Sequence, residues 1–218
     1  MFTQTSKVVP LLKVMQVEKK VIRKNIQVVL KGLSKENKEE QSSNIFKKLS
    51  ALNEYKSAKS IAFYLPMSCE VNTDSIFLDS LKNKRYCFVP QIVSPQDIEM
   101  VELLSKEEVL DFPKDKWGIP IPINNEERNL WNHPEKKLDL IIVPGVAFDS
   151  HCNRCGHGKG FYDIFFEKYS SWCTKNKVAF PTLVGIGFDE QIIPLVPMSE
   201  TDKKLDYIIS NTYLFKKE

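Results

Sequence analysis

The sequence contains few cysteines and no long apolar run, and each shortage excludes a class of protein. Five Cys in 218 residues is far below the density of a disulfide-stapled secreted domain, and an odd number cannot all pair within one chain. We therefore predict reduced thiols inside a cell. Lys, Arg, Asp or Glu interrupts every apolar run before the ~18 residues that a membrane helix needs, which predicts a soluble protein with no membrane partner.

The sequence also lacks the basic excess that is typical of nucleic-acid-binding proteins. Its 31 Lys and Arg residues against 28 Asp and Glu residues give a formal net charge of +3. With 42% hydrophobic residues, a chain of this length can bury a sizeable core without disulfides or a structural metal. We expect no nucleic-acid partner, and we expect a monomer.

The first sixteen residues contain two Lys and no acidic residue. Pro10 and Lys13 break the apolar part of this segment, and Arg, which is frequent in organelle-targeting peptides, is absent. We interpret residues 1–16 as a flexible extension ahead of a single domain spanning 17–218. The expected location is the cytoplasm, with the mitochondrion as the alternative.

Helical and extended patterns alternate from Val17 onward. Apolar residues recur at spacings of three and four up to Leu33, and Ser34 is placed to cap a second helix. Further helices are expected near 73–81 and 160–172. Short apolar runs predict strands at 60–65, 86–89, 98–104, 138–143, 182–188 and 207–210. This order predicts an α/β fold with a mostly parallel central sheet and helices on both faces, in three layers.

A glycine-rich loop follows the clearest buried strand and leads into a helix. It contains Gly156, Gly158 and Gly160, within the stretch PGVAFDSHCNRCGHGKGFYD. Glycine lets backbone N–H groups approach a phosphate, and a helix N-terminus favours an anion. Arg154 and Lys159 add positive charge. The loop therefore predicts a phosphate site at the carboxyl edge of the sheet, with a solvated surface turn as the alternative.

Charged residues outside this loop extend the phosphate hypothesis. Lys19 and Arg23 are four residues apart and so share one face of the first helix, where they would either grip phosphates or form an ordinary solvated face. Asp163 and Asp202 are candidate ligands for Mg²⁺, which takes one or two carboxylates and completes its shell with water and substrate phosphates.

A Cys-x-x-Cys pattern in the same stretch raises a zinc or redox alternative. Cys152 and Cys155 are flanked by His151 and His157. Zinc usually takes two separated ligand pairs, and the chain contains no second Cys-x-x-Cys and no His-x-x-x-His. A redox pair would place its first thiol at a helix start, whereas Cys152 lies several residues upstream. We favour two incidental thiols in a loop.

The stretch PGVAFDSHCNRCGHGKGFYD resembles the signature of the 5-formyltetrahydrofolate cyclo-ligase (5,10-methenyltetrahydrofolate synthetase) family, which reads PGxxFDxxGxRLGxGxGYYD. Four further segments are similar to family elements in the same order: KKVIRK with its Lys-x-x-x-Arg, FYLPMSCEVNT, KWGIPIP and VPMSETDKKLD. Five ordered matches at compatible spacing are more specific than any one of them.

The resemblance implies an ATP-driven ring closure. ATP would phosphorylate the formyl oxygen of 5-formyltetrahydrofolate, N10 would attack the activated carbon, and phosphate would leave, giving 5,10-methenyltetrahydrofolate and ADP. A sensor of the same fold that binds folate or nucleotide without turnover is the alternative that the resemblance leaves open.

Residue by residue, the resemblance implies a catalytic pair, Lys159 and Arg154, and Mg²⁺ ligands Asp163 and Asp202. The ATP contacts that it implies are Lys19, Arg23, Arg154, Cys155, Gly156, His157, Gly158, Lys159, Gly160, Phe161 and Tyr162. The folate contacts that it implies are Leu65, Met67, Glu70, Trp117, His157, Gly158, Lys159, Gly160 and Phe161.

Three departures from the family pattern fall in the signature stretch. His157 stands where many members carry Arg, so phosphate affinity is expected to fall as the pH rises through the titration of the imidazole. Phe161 replaces the first Tyr, which keeps the ring and removes the hydroxyl. Cys152 and Cys155 replace Gly and Leu, which bears on loop geometry and oxidation sensitivity rather than on the reaction.

Overall fold

A computed structural model describes the backbone of residues 5–115, 118–123 and 126–218 and, Pro134 apart, the side chains of these residues from Met15 onward. The helices are α1 (Thr5–Gly32), α2 (Lys35–Ala51), α3 (Asn53–Ser57), α4 (Asp74–Lys82), α5 (Glu107–Asp111) and α6 (Phe161–Asn176). The strands are β1 (Ser60–Ala62), β2 (Tyr86–Ser94), β3 (Asp97–Leu103), β4 (Leu140–Val143), β5 (Ala147–Phe148), β6 (Arg154–Cys155), β7 (Thr182–Ile186), β8 (Tyr207–Ile209) and β9 (Leu214–Lys216).

Seven strands of the described chain form one sheet in the order β3-β2-β1-β4-β7-β8-β9. The central strands β2, β1, β4, β7 and β8 are parallel, and β3 and β9 pair antiparallel at the edges. The mostly parallel α/β sheet predicted from the sequence is confirmed. Strands β1 and β4 are neighbours, but the next parallel strand after β1 is β2, on one side of the pair, and the next after β4 is β7, on the other side. The loops that follow β1 and β4 therefore run in opposite directions and leave a crevice between them.

The described side chains form a hydrophobic core on each face of the sheet, because successive strand residues point to opposite faces. Leu140 and Ile142 of β4 pack with residues of α1, α2 and α4, whereas Ile141 and Val143 pack with residues of α6. All these β4 residues are completely buried. The three-layer arrangement with helices on both faces is therefore confirmed.

The N-terminal boundary differs from the one that the periodicity marked. Helix α1 begins at Thr5, well before Val17. The apolar residues of 8–14 are too closely spaced to show a helical period, so the pattern contained no signal for the earlier start. The side chains of these residues lie outside the described set, and the extension of residues 1–16 stays a prediction.

Strands β1, β2, β3, β4, β7 and β8 each overlap a run predicted to be a strand, and the predicted cap of α2 is present. Ser34 Oγ accepts a hydrogen bond from Asn37 N at 3.1 Å. The β5–β6 hairpin and β9 were not predicted, because strands of two or three residues are too short to show alternation. Within the described part of the chain, no helix has the length and apolar character needed to cross a membrane.

Candidate active site

The glycine-rich loop lies between the β5–β6 hairpin and the start of α6. The loop follows Cys155, and α6 begins at Phe161. Gly158 has a φ of +98° and Gly160 a φ of +73°, in the left-handed region that favours glycine. The first N–H groups of α6 have no partner within the helix, so the loop meets the positive end of the helix dipole.

Lys19 and Arg23 reach this loop from α1, as their shared helix face predicted. Arg23 Nε donates to the carbonyl oxygen of Gly156 at 2.7 Å. Gly158 packs under the same guanidinium, since a Cβ at this position would lie 3.1 Å from Arg23 Cζ. Lys19 Nζ lies 2.5 Å from Oδ2 of Asp202, which arrives from the loop between β7 and β8. The structure thus brings together residues that are 183 positions apart.

Arg154 lies beneath the loop rather than on its surface, with 6% of its side chain exposed. Its Nη2 donates to both carboxylate oxygens of Asp163, at 3.1 and 3.0 Å, and its Nη1 donates to the carbonyl oxygen of Pro144 at 3.2 Å. Its Nε has no partner in the described part of the chain. Lys159 is exposed and has no hydrogen-bond partner among the described residues. Of the predicted catalytic pair, only Lys159 therefore presents its charged group to solvent.

Asp202 is held by several donors at once. Its Oδ2 accepts hydrogen bonds from Lys19 Nζ at 2.5 Å and from both N and Oγ of Ser199 at 2.6 Å. Burial acts to raise the pKa of Asp202, but these hydrogen bonds outweigh it and keep the pKa below its ordinary value. Asp202 is therefore a permanently charged carboxylate in the physiological range.

The thiol of Cys155 lies among these charges. Burial raises the pKa of Cys155, whereas the positive charges of Arg23, Lys19 and Arg154 act in the opposite direction. The charge of Asp202 raises the pKa further. One of these side chains, Arg23, donates to the carbonyl oxygen of Gly156, the residue that follows Cys155. Cys155 is completely buried, so its thiol is not accessible to a ligand.

The Cys-x-x-Cys pattern does not have the properties of a redox pair. Cys152 and Cys155 are free thiols and completely buried. Burial raises the pKa of Cys152 to about 11, the reverse of the lowered pKa that a reactive thiol needs. Cys152 has a φ of +61°, the left-handed conformation that suits the Gly of the family signature. No cluster of three or more His, Cys, Asp or Glu side chains suited to a metal occurs among the described residues.

The loop after β1 forms the other wall of the crevice. Glu70 Oε2 accepts a hydrogen bond from Met67 N at 2.9 Å, and Glu70 Oε1 lies 3.3 Å from His157 Nε2. This last contact joins the loops after β1 and β4, at the point where the strand order of the sheet reverses. Burial raises the pKa of Tyr162, and the charge of Glu70 raises it further.

Among the other predicted folate contacts, Leu65 is half-buried and packs against the core on the α1 side of the sheet. Phe161 is half-buried at the edge of the core on the α6 side. Trp117 lies outside the described residues. Sequence reasoning missed Ser199, although a Ser three residues before an Asp is a spacing that favours a side-chain-bonded turn.

Known proteins of one family are similar to this chain along most of its length. The model of the 5-formyltetrahydrofolate cyclo-ligase family matches residues 15–211. The 5-formyltetrahydrofolate cyclo-ligase of Mus musculus is 34% identical over 192 residues, which cover 88% of this chain and 92% of that protein. The solved 5,10-methenyltetrahydrofolate synthetase of Aquifex aeolicus aligns with a TM-score of 0.71 at 26% identity, over 91% of this chain and 92% of that one. The enzyme of the same name from Mycoplasma pneumoniae aligns with a TM-score of 0.63 at 25% identity, over 88% and 98%.

Proposed function

This chain belongs to the 5-formyltetrahydrofolate cyclo-ligase family, and from that premise we propose that it converts 5-formyltetrahydrofolate and ATP into 5,10-methenyltetrahydrofolate, ADP and phosphate. The observation that carries the proposal is the contact between Glu70 and His157. It brings the loop after β1 against a glycine-rich, cation-lined loop after β4, so a flat ligand and a phosphate chain would meet at one edge of the sheet.

The phosphate side of the site is built from the glycine loop and α1. Lys159 is exposed, Arg23 covers Gly158, and the N-terminus of α6 faces the loop. We propose that the phosphates of ATP lie along this loop, with Lys159 against the transferred group. Phosphoryl transfer needs little covalent chemistry from the protein and much positioning and charge neutralisation, which these residues supply.

Arg154 has a different part in this proposal. Because its guanidinium is buried and paired with Asp163, it acts as a fixed positive charge under the loop and orients that carboxylate. Its position near the Tyr162 ring, 5.7 Å from Cζ to the ring centroid, also fixes the first turn of α6.

The folate side is built from the loop after β1. We propose that Leu65 and Met67 contact the pterin and that Glu70 accepts hydrogen bonds from its ring N–H groups. The side chain of Glu70 is only 9% exposed and its Oε2 is already fixed by Met67 N, so it is preorganised to orient a ring. His157 and Phe161 would complete the wall on the glycine-loop side.

The chemistry then balances without a further reactant. The formyl oxygen attacks the γ-phosphorus of ATP and ADP leaves, which gives an iminium phosphate at N5. N10 attacks the same carbon and loses its proton to solvent, the carbon–oxygen bond breaks, and inorganic phosphate departs with the former formyl oxygen. The residues of the site hold the two substrates in line and stabilise the charge that develops on the transferred group.

The two predicted acidic residues fit Mg²⁺ by donor chemistry. Asp163 and Asp202 supply carboxylate oxygens, and Oδ1 of Asp202 accepts no hydrogen bond from the described residues. These residues would hold the ion together with phosphate oxygens and water. When bound, Mg²⁺ neutralises charge on the phosphate chain.

The direct test is the absorbance of the methenyl product when purified protein meets 5-formyltetrahydrofolate, MgCl₂ and ATP, with ATP omitted as the control. We expect signal only with ATP. Lys159→Ala should abolish turnover while the fold stays intact, whereas Lys175→Ala, in the last turn of α6 and remote from the loop, should turn over as wild type. Near-normal activity of Lys159→Ala would remove the role proposed for it. The monomeric state and the cytoplasmic location stay predictions.

A further inference from the structure

The nucleotide site proposed above draws on segments that are far apart in the chain. The glycine loop belongs to the connection from β4 to α6, whereas Asp202 belongs to the connection from β7 to β8. Strands β4 and β7 are neighbours, but their ladder ends at Val143 and Gly185. Beyond this point, other contacts must fix the two connections relative to each other.

Asp149, at the turn of the β5–β6 hairpin, makes such contacts. Its side chain is completely buried and forms no ion pair in the described part of the chain. Oδ1 accepts hydrogen bonds from His151 N at 2.9 Å and Asn153 N at 3.0 Å. Oδ2 accepts hydrogen bonds from Asn153 Nδ2 at 2.9 Å and from Val196 N at 2.8 Å. Only a carboxylate presents acceptors to all these donors, because an amide of the same shape would turn one N–H group towards another.

The bond to Val196 reaches the connection that carries Asp202. The same connection is also attached before Val196, where Ile193 N donates to the carbonyl oxygen of Phe148 at 2.8 Å, and beyond Asp202, where Leu205 N donates to the carbonyl oxygen of Cys152 at 2.9 Å. The backbone of Cys152 is itself held by the turn, since its N–H donates to the carbonyl oxygen of Asp149 at 3.2 Å. The segment from 196 to 205 is therefore closed at both ends on the hairpin that leads into the glycine loop.

We propose that Asp149 is a positioning residue that fixes Asp202, and with it Lys19, against the glycine loop, so that the ATP site is assembled from both connections. The inference rests on the proposed function, because it concerns the same ATP site. Asp149 does not touch a ligand in this account. It acts through the backbone of Val196.

The geometry predicts an asymmetric effect on the two substrates. The hydrogen bond between Asp149 and Val196 joins two segments, and the proposed ATP site uses both of them: the glycine loop belongs to one, and Asp202 belongs to the other. The proposed folate contacts on the loop after β1, and His157 and Phe161 on the glycine-loop side, make no hydrogen bond to Asp149 or Val196 among the described residues. Loosening the 196–205 segment should therefore weaken ATP and spare folate, whereas a general loss of structure would weaken both.

The test compares Asp149→Asn with Asp139→Asn. Asp139 also accepts backbone hydrogen bonds, from Lys59 N at 2.8 Å and Ser60 N at 3.1 Å, but it lies at the opposite, amino edge of the sheet. Dissociation constants of ATP with MgCl₂ and of 5-formyltetrahydrofolate are measured separately by calorimetry. We expect Asp149→Asn to weaken ATP about tenfold and to leave folate within about twofold, since an NH₂ group in place of either carboxylate oxygen loses two buried hydrogen bonds and faces two donors. Asp139→Asn should change neither constant.

Val196→Pro removes the same N–H and keeps the carboxylate, which provides a second variant if Asp149→Asn does not fold. It should show the same split between the two ligands. Equal weakening of both ligands, or wild-type affinity for ATP in a folded variant, would overturn the proposal. Absence of ATP-dependent turnover in the wild-type protein would instead refute the proposed function, and the two binding constants would still decide the role of Asp149.

Discussion

Replacing Gly158 with Ala is expected to weaken ATP binding more than the same replacement at Gly160. Both glycines have positive φ, +98° and +73°, so both variants carry the strain of a side chain in this region. They differ in their surroundings. A Cβ on Gly158 would lie 3.1, 3.3 and 3.4 Å from Cζ, Nη1 and Nη2 of Arg23, whereas a Cβ on Gly160 would meet no atom within 4 Å.

The difference between the two variants isolates the contact with Arg23. The shared backbone strain is about 1–2 kcal/mol at either position. At Gly158 the guanidinium must also move, which lengthens the 2.7 Å bond from Arg23 Nε to the carbonyl oxygen of Gly156. Because Arg23 is half-buried, we take a loss near the middle of the range for such bonds, about 1 kcal/mol, which corresponds to about fivefold in affinity.

Titration calorimetry with ATP and MgCl₂ measures this difference directly. We expect the dissociation constant of Gly158→Ala to exceed that of Gly160→Ala by about fivefold. In an Arg23→Ala background the two variants should become equal, because the contact that separates them is gone. A ratio near one in the wild-type background, or a ratio that persists without Arg23, would refute the reasoning.

Three further outcomes are expected. Burial acts to raise the pKa of Asp202, but its hydrogen bonds, chiefly from Lys19, lower it, so its contribution to stability is present above the ordinary carboxyl pKa and is lost as the pH falls. Urea unfolding at about pH 7 and about pH 3 should therefore show a larger decrease in the free energy of unfolding for wild type than for Asp202→Asn. Equal decreases would contradict this. The buried thiol of Cys152, with its pKa raised to about 11, should react with a water-soluble disulfide reagent only after unfolding, and fast reaction of the native protein would disprove it. Phe148→Ala should lower the free energy of unfolding by about 3–5 kcal/mol, since Phe148 is completely buried, against less than about 0.5 kcal/mol for Leu110→Ala, which is 79% exposed; similar losses would show that burial does not set the difference.

The parallel strands were predictable because they are buried on both faces. Strand β4 is a continuous apolar run, Leu140–Val143, and it is closed by Pro144 and Gly145. Such a run needs no long-range information to be recognised, since few other structures bury every side chain in succession. The carboxyl edge of the sheet, and with it the place of the site, followed from the same reasoning.

The ion pairs of the site were not predictable from local patterns. Lys19 and Asp202 were expected to act separately, one on phosphates and the other on Mg²⁺, yet they lie 2.5 Å apart. Arg154 was expected to present its charge from the loop, but pairing of β6 with β5 places it beneath the loop, where it meets Asp163. Contacts of this kind depend on how loops from different strands return to one edge, and no spacing in the sequence encodes that.

The hydrogen bonds of Asp149 are a second example of contacts that local sequence patterns do not predict. Asp149 is part of the signature stretch, and its motif alone does not distinguish a buried structural carboxylate from a ligand-binding one. The bond to Val196 shows its partner, and that partner lies 47 residues away. Sequence reasoning could place Asp149 in a turn, but it could not show that the turn supports a second segment.

The fate of the formyl oxygen tests the central claim most directly. The protein is given 5-formyltetrahydrofolate labelled with ¹⁸O in the formyl group, together with MgCl₂ and unlabelled ATP, and the released phosphate is analysed by mass spectrometry. If ATP phosphorylates the formyl oxygen, each methenyl product formed should be matched by one phosphate that carries the label. Unlabelled phosphate, or methenyl product formed without ATP, would contradict the account.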